Sequence, residues 1–303
     1  MKYVITGSTG HISRPVTAAL AAAGHQVTVI TSQPERAADI EALGATPAVG
    51  SITDLSFLQQ TFSDADAVYL MIPPNFAAED FPAYQRAVAD NYIQALRDSR
   101  IKYIVLLSSI GAHLRKGAGP IDALGYLEAQ LQSLPGRHIK ILRPAFFYYN
   151  LLGMAGMLKT AGIIGSNFGS TEEKMVLVHH LDIADRVIHH LLTPVFEGYS
   201  IEYVASDERY VSEIAAVLGK VAGKENAVWV SFPDDQAYAA MTQQGLNASL
   251  ANGYIAMGRA FREGRAMEDY WKHRPVLGSR KLEDFTGEFV SAYQAVPEPV
   301  EQA

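Results

Sequence analysis

The first 144 residues alternate short apolar runs with amphipathic stretches. The apolar runs are rich in Val, Ile and Leu and nearly continuous, which is typical of parallel strands buried on both faces. The stretches between them, such as residues 82–100, place apolar side chains at helical spacing. This alternation predicts a doubly wound parallel α/β sheet, with strands in KYVIT, QVTVIT, TPAVG, AVYLMIP, KYIVLLSS and HIKILRP.

The rhythm changes after Pro144. An aromatic and Met-rich segment comes first, then a helix in LVHHLDIADRVIHHLL with Asp182 as its expected N-cap, and one more strand in YSIEYVAS. Mostly helical segments follow. We therefore predict a first domain over residues 1–150, with its sheet completed by residues near 175–206. A smaller, mostly helical lobe, residues 151–174 and 207–303, is expected over the carboxyl edge of that sheet.

The opening stretch TGSTGHIS, residues 6–13, lies between the first strand and the first helix. Gly7 allows a tight turn and Gly10 allows the backbone to approach a pyrophosphate, which the helix N-terminus attracts. Ser13 stands where the dinucleotide fingerprint has its third glycine, a position that faces the strand. We expect this substitution to affect packing rather than phosphate binding. The loop predicts a Rossmann dinucleotide-binding domain.

The end of the second strand bears on the choice of cofactor. NAD sites usually place an acidic residue there for the ribose 2′-hydroxyl, but this chain has Thr31, Ser32 and Gln33. Arg36 follows one helical turn later and, with Ser32, would suit a 2′-phosphate, which favours NADP(H) over NAD(H). The alternative is that Arg36 is a solvated helix charge beside Glu35.

Composition narrows the class of partner and compartment. The net charge of −7 argues against broad nucleic-acid binding. Without cysteine, the chain has no disulfides, thiolate metal sites or cysteine nucleophile. No apolar run is long enough to span a bilayer and no signal peptide precedes the first strand, so we expect a cytoplasmic protein that acts on a small molecule.

Four later motifs complete a recognisable set: MIPPN, LLSSIGA, ILRPAFFYYN and HHLDIA. In this order, with TGSTGHIS, they resemble the NmrA-like branch of the short-chain dehydrogenase/reductase superfamily, over most of the chain to about residue 206. The resemblance implies a Rossmann fold with a small C-terminal substrate lobe that binds NADP(H). Such proteins reduce quinones, azo or triphenylmethane dyes or phenylpropanoids, or act as redox-sensing regulators through a protein partner.

The resemblance also implies cofactor contacts along the ends of the strands. The expected contacts are Gly7, Ser8, Thr9, Gly10, His11 and Ile12 at the pyrophosphate, Ser32 and Arg36 at the 2′-phosphate, Ser51 and Ile52 at the adenine, and Met71, Ile72, Pro73, Ser108, Phe146 and Phe147 along the remainder.

The usual catalytic pair of the superfamily is incomplete. A tyrosine is normally followed four residues later by a lysine that lowers its pKa, but Gln130 follows Tyr126. The lysine that phenylpropanoid reductases use is also missing, since Leu124 stands four residues before Glu128. These absences leave direct hydride transfer to a conjugated acceptor, which needs no positioned acid. A non-catalytic NAD(P)-sensing regulator and a Rossmann-type domain without nucleotide are the alternatives.

Several side chains remain candidates for chemistry or for a substrate pocket. Ser109, His113 and Tyr126 are candidate catalytic residues. Core packing is an equal possibility for each candidate substrate residue, namely Phe76, Tyr148, Tyr149, Met154 and Phe168. The face formed by Tyr254, Met257 and Phe261 is expected to be core or a subunit contact, as in a possible homodimer. We predict no metal at His179–His180 or His189–His190, because adjacent histidines on a helix point about 100° apart.

Overall fold

The computed structural model describes residues 1–169 and 173–297. Within these ranges, seven strands form one parallel sheet in the order β10-β6-β5-β4-β1-β2-β3. The chain order reverses between β1 and β4, the position where open α/β sheets bind ligands. The strands are β1 (Lys2–Ile5), β2 (Gln26–Thr31), β3 (Thr46–Val49), β4 (Ala67–Leu70), β5 (Tyr103–Leu107), β6 (His138–Pro144), β7 (Phe146–Phe147), β8 (Ile163–Ser166), β9 (Met175–Val178), β10 (Tyr199–Val204), β11 (Asp207–Arg209) and β12 (Val228–Ser231).

Helices cover both faces of the large sheet, which confirms the doubly wound fold. Side chains of α1, α2 and α7 belong to the core on one face, and those of α3, α4 and α5 to the core on the other. No described helix has the length and apolarity needed to cross a membrane. The helices are α1 (Ser13–Ala22), α2 (Ala37–Ala42), α3 (Leu55–Phe62), α4 (Phe81–Arg97), α5 (Ile121–Gln132), α6 (Ala155–Ala161), α7 (His180–Leu192), α8 (Val211–Val221), α9 (Asp234–Gln243), α10 (Ala248–Arg262), α11 (Glu268–Lys272) and α12 (Leu282–Ala295).

The start of α7 differs from the prediction that Asp182 caps it. The helix begins at His180, and Nδ1 of His179 accepts the Leu181 N–H at 3.1 Å, so the N-cap is His179, three residues before Asp182. Asp182 lies in the first turn, where its carboxylate accepts the Ser206 hydroxyl at 2.5 Å and pairs with Arg280. The carboxylate is therefore engaged in tertiary contacts rather than in capping.

The segments after Pro144 form further, smaller layers. Of the residues near 175–206 that were expected to complete the large sheet, only β10 joins it. Strand β9 instead pairs with β7, which the chain forms just after β6 ends, and with β11. Strands β8 and β12 form a separate pair, and α6, α8 and α12 pack around a third core that contains Tyr148 and Phe285. The division at residue 150 stays a prediction.

A cleft at the carboxyl edge of the sheet

The loop after β1 turns back tightly on itself. Gly7 and Ser8 have φ angles of +85° and +52°, and the Gly10 N–H donates to the Gly7 carbonyl at 3.1 Å. A Cβ on Gly7 would lie 2.7 Å from the Ser13 hydroxyl and 3.2 Å from Met71. The Ser13 hydroxyl itself donates to the Thr6 carbonyl at 2.8 Å. Position 7 therefore requires glycine, and Ser13 faces the strand rather than the outside of the loop.

One side of this loop opens into a groove of about 630 Å³ at the ends of β2, β3 and β4. Arg36 lies on this groove, and its Nη1 donates to the Thr9 hydroxyl at 3.4 Å. No carboxylate is found among the described residues that line it. The polar lining residues are Ser8, Thr31, Ser32, Gln33, Arg36, Ser51, Thr53, Asn75 and Tyr84.

A pocket of about 260 Å³ lies at the ends of β4, β5 and β6. Met71 and Pro74 line both this pocket and the groove, so the two adjoin. Its walls are largely apolar and include several aromatic rings. The ring centroid of Phe168 lies 5.7 Å from that of Phe146 and 5.7 Å from that of Phe261. The groove and the pocket together form a cleft, with the polar groove at one end and the apolar pocket at the other.

Tyr149 brings a polar group into the pocket. Its ring lies 5.2 Å from that of Phe147 and stacks on His11 at 5.4 Å, measured between centroids. Burial raises the pKa of the Tyr149 phenol to about 12. The phenol therefore keeps its proton at neutral pH and is available as a hydrogen-bond donor.

A buried ion pair lies behind the pocket. Ser108, which lines the pocket, donates to Oε1 of Glu128 at 2.5 Å. Arg143 donates to the same carboxylate twice, Nε to Oε1 at 3.0 Å and Nη2 to Oε2 at 2.6 Å. Its Nη1 also reaches Asp269 at 2.9 Å. Burial alone lowers the pKa of Arg143, but the hydrogen bonds and charge of Glu128 raise it above its ordinary value.

Most of the predicted binding residues lie on the cleft, although their roles stay predictions. Thr9 and Gly10 belong to the loop itself, and the His11 ring stacks on Tyr149, which lines the pocket. The predicted residues that line the groove or the pocket are Gly7, Ser8, Ser32, Arg36, Ser51, Ile52, Met71, Ile72, Pro73, Ser108, Ser109, Phe146, Phe147, Tyr149 and Phe168.

Four predicted binding residues lie elsewhere. Ile12 packs in the core beneath α1. Tyr148 and Met154 are buried in the third core, because the turn after β7 directs them away from the sheet edge, and the Tyr148 hydroxyl donates to the Arg280 carbonyl. Phe76 is 60% exposed and is not among the residues that line the pocket.

Of the three candidate catalytic residues, only Ser109 lines the pocket. The Tyr126 phenol donates to Asp90 at 2.6 Å, and Arg86 lies 3.2 Å from the centroid of its ring, so it takes part in packing between α4 and α5. His113 contacts the Arg265 carbonyl at 3.1 Å through Nε2. We assign neither Tyr126 nor His113 a part in the cleft.

The histidine pair at the start of α7 comes together with a carboxylate. His179, His180 and Glu288 each place one potential ligand atom within 4.8 Å of the others. Burial lowers the pKa of both histidines, which keeps them neutral. Since Nδ1 of neutral His179 accepts the Leu181 N–H, the proton is on Nε2, which faces Glu288 at 3.9 Å. In that tautomer His179 has no free lone pair for an ion, so the group lacks one of its three ligands and we propose no metal site there.

The sequence reasoning missed two contributions to the cleft. Met257 and Phe261 of α10 line the pocket, although their helical face was expected to be core or a subunit contact. Their spacing signals an apolar face but not what covers it. The partnership of Glu128, Arg143 and Asp269 was also missed, because these residues lie on α5, β6 and α11.

Comparison with known proteins agrees with a nucleotide-binding cleft. The sequence model of a family described as NAD(P)H-binding matches residues 7–158. The NAD(P)H azoreductase of Xenophilus azovorans is 25% identical over 249 residues, which cover 82% of this chain and 83% of that protein.

Two solved structures share the fold over nearly the whole chain. An NADPH-dependent quinone oxidoreductase from Escherichia coli, complexed with NADPH, has a TM-score of 0.77 and 20% identity, over 94% of this chain and 99% of that one. The triphenylmethane reductase of Citrobacter sp., complexed with NADP(H), has a TM-score of 0.76 and 19% identity, over 95% of this chain and 100% of that one.

Proposed function

Since the chain belongs to the NAD(P)H-binding family, we propose that it is an NADP(H)-dependent oxidoreductase that passes hydride directly to a quinone-like or other conjugated acceptor. One observation carries this proposal: the cleft joins a polar groove beside the glycine loop to an apolar pocket that several aromatic side chains line. The azo, quinone and triphenylmethane reductases that resemble this chain are named for conjugated compounds, which an apolar pocket with aromatic walls would suit.

The groove supports binding of a dinucleotide with a 2′-phosphate. The glycines at positions 7 and 10 allow the tight turn at the start of α1, and the backbone N–H groups of a helix N-terminus attract a pyrophosphate. Arg36 and Ser32 lie at the end of β2, where the 2′-position of the ribose would lie. Since no carboxylate lines the described groove, the site favours NADP(H) over NAD(H).

The chain's own residues would position and shield the reactants. When bound, the nicotinamide supplies the hydride. Phe146, Phe168 and Phe261 would exclude water and pack against the acceptor, which would hold it close to the nicotinamide for hydride transfer. The Tyr149 phenol would donate a hydrogen bond to the acceptor atom that gains electron density. In this proposal, residues 1–150 hold the cofactor, and residues 151–174 and 207–303 supply the substrate side of the cleft.

The test is turnover of a panel of acceptors by the purified protein. With NADPH or NADH as donor, 2-methyl-1,4-naphthoquinone, an azo dye and a triphenylmethane dye would be followed by loss of absorbance at the donor or dye wavelength. We expect reduction of at least the quinone, faster with NADPH. Met257→Trp, which fills the pocket, should lower kcat/KM about tenfold or more. The matched control, Val276→Trp, alters a fully exposed side chain outside the pocket and should not.

The second candidate function is a regulatory role, because the lysines that usually assist proton transfer are missing. Gln130 stands four residues after Tyr126, and that phenol is committed to Asp90. If the protein binds NADPH tightly and reduces none of the acceptors, the enzyme proposal fails. A cofactor-sensing protein that acts through a protein partner then becomes the better account.

A further inference from the structure

We infer that Ser108 faces the pocket as a hydrogen-bond acceptor, so that the protein selects conjugated acceptors that carry an N–H or O–H group beside the reducible carbonyl or azo group. Aminoquinones and hydroxyazo compounds are of this class. The inference rests on the proposed function, because it concerns what the pocket accepts. It differs from the role that the resemblance implies for Ser108, which is a contact with the cofactor.

The first step is the charge of Glu128. The side chains of Glu128 and Arg143 are both only 5% exposed, and the guanidinium donates hydrogen bonds to both carboxylate oxygens. An arginine keeps its charge in proteins, and a neutral carboxylic acid would leave that charge without its closest partner in a buried site. Glu128 is therefore ionised and has no proton to give.

The second step is the position of the proton between Ser108 and Glu128. The two oxygens are 2.5 Å apart, so one hydrogen bond joins them, and only the serine can donate it. A hydroxyl has one proton and two lone pairs. Once the proton is committed to Glu128, Ser108 has only lone pairs for a ligand in the pocket.

The third step is the cost of turning the hydroxyl round. Rotating it toward a ligand carbonyl would take a charge-assisted hydrogen bond away from a buried carboxylate, which costs more than a neutral bond returns. A ligand N–H or O–H instead adds a bond to an oxygen already polarised by Glu128. A ligand carbonyl oxygen or an unprotonated azo nitrogen would face the lone pairs of Ser108 and gain no hydrogen bond from it.

Two neighbouring hydroxyls show that this constraint is local. Ser109 also lines the pocket, but it donates at 2.9 Å to the neutral carbonyl of Ile110, so no charge holds its proton in place. Tyr149 keeps its proton and can donate to a ligand. The pocket thus combines an acceptor at Ser108 with a donor at Tyr149, which suits a ligand that presents both a carbonyl and an adjacent N–H.

The test compares binding of two small naphthoquinones. Dissociation constants for 2-amino-1,4-naphthoquinone and 2-methyl-1,4-naphthoquinone would be measured by calorimetry with saturating NADP⁺, so that no turnover occurs. The wild type should bind the amino compound about tenfold more tightly than the methyl compound, because one additional hydrogen bond contributes about that factor. Ser108→Ala should reduce that ratio to near one by weakening the amino compound alone. Ser109→Ala, the matched control, should keep it.

Three results would overturn the inference. They are equal or tighter wild-type binding of the methyl compound, an amino preference that survives in Ser108→Ala, or no binding of either quinone. If Ser108→Ala weakens NADP⁺ itself and leaves the ratio unchanged, the serine serves the cofactor and the inference also fails. In all of these cases, reduction of the methyl compound with NADPH tests the proposed function separately. A protein that reduces it without an amino preference keeps its function and loses only this specificity.

Discussion

The buried pair behind the pocket leads to a quantitative prediction about stability. In Arg143→Met, a side chain of similar length fills much of the space but carries no charge. Glu128, 4% exposed as a residue, then keeps the Ser108 hydroxyl and loses both guanidinium bonds. Asp269 also loses a bond, but it is partly exposed and still accepts the Tyr203 hydroxyl at 2.5 Å. The main loss therefore falls on Glu128.

The size of the loss follows from leaving one buried charge without its partner. Such a change costs about 3–5 kcal/mol in free energy of unfolding. In a chain of 303 residues, this corresponds to a fall of about 5–8 °C in Tm.

Urea and thermal unfolding at pH 7, followed by circular dichroism, would measure this loss of stability. The control is Arg100→Met, which removes an exposed arginine paired with exposed Asp64 and should change the stability little. Arg143→Met combined with Glu128→Leu should recover much of the loss, since no charge is then left buried alone. The reasoning is refuted if Arg143→Met costs no more unfolding free energy than Arg100→Met, or if adding Glu128→Leu recovers none of the loss.

Three smaller predictions concern the loop and α5. In urea unfolding, Gly7→Ala should lower the unfolding free energy by at least about 1 kcal/mol more than Gly136→Ala does. Both glycines have positive φ, but only at Gly7 would a Cβ contact close neighbours. Equal losses in the two variants would contradict the contacts at Gly7. Ser13→Ala should cost about 1 kcal/mol in unfolding free energy without raising the Kd for NADPH; a raised Kd would show that the hydroxyl serves the phosphate. Tyr126→Phe should leave kcat/KM for the quinone within about twofold, since its hydroxyl contacts Asp90; a loss of a hundredfold would restore its catalytic role.

The fold and the nucleotide end of the cleft follow from local sequence signals. Apolar runs predicted all six strands before residue 145, and the glycine spacing of residues 6–13 predicted the turn that the structure shows. The resemblance to the NmrA-like branch is confirmed as well. These features could be predicted because each depends on residues close together in the chain.

The substrate end depends on distant contacts and on the rotation of helices. On α5, Leu124 and Glu128 are four residues apart and face the cleft side, whereas Tyr126, two residues from each, points about 200° away toward α4. Spacing from Ser109 alone could not reveal that rotation. The placement of α10 over the pocket likewise depends on tertiary packing, so Met257 and Phe261 could be recognised only as an apolar face.

The most direct measurement is a calorimetric titration of the wild type, Arg36→Ala and Arg14→Ala with NADPH and with NADH. Arg14 is an exposed arginine of α1 and serves as the control. We predict that NADPH binds to the wild type at least about tenfold more tightly than NADH, that Arg36→Ala removes this preference by weakening NADPH alone, and that Arg14→Ala keeps it. If neither nucleotide binds to the wild type, or if NADH binds as tightly and Arg36→Ala changes nothing, the cleft is not the NADP(H) site proposed here.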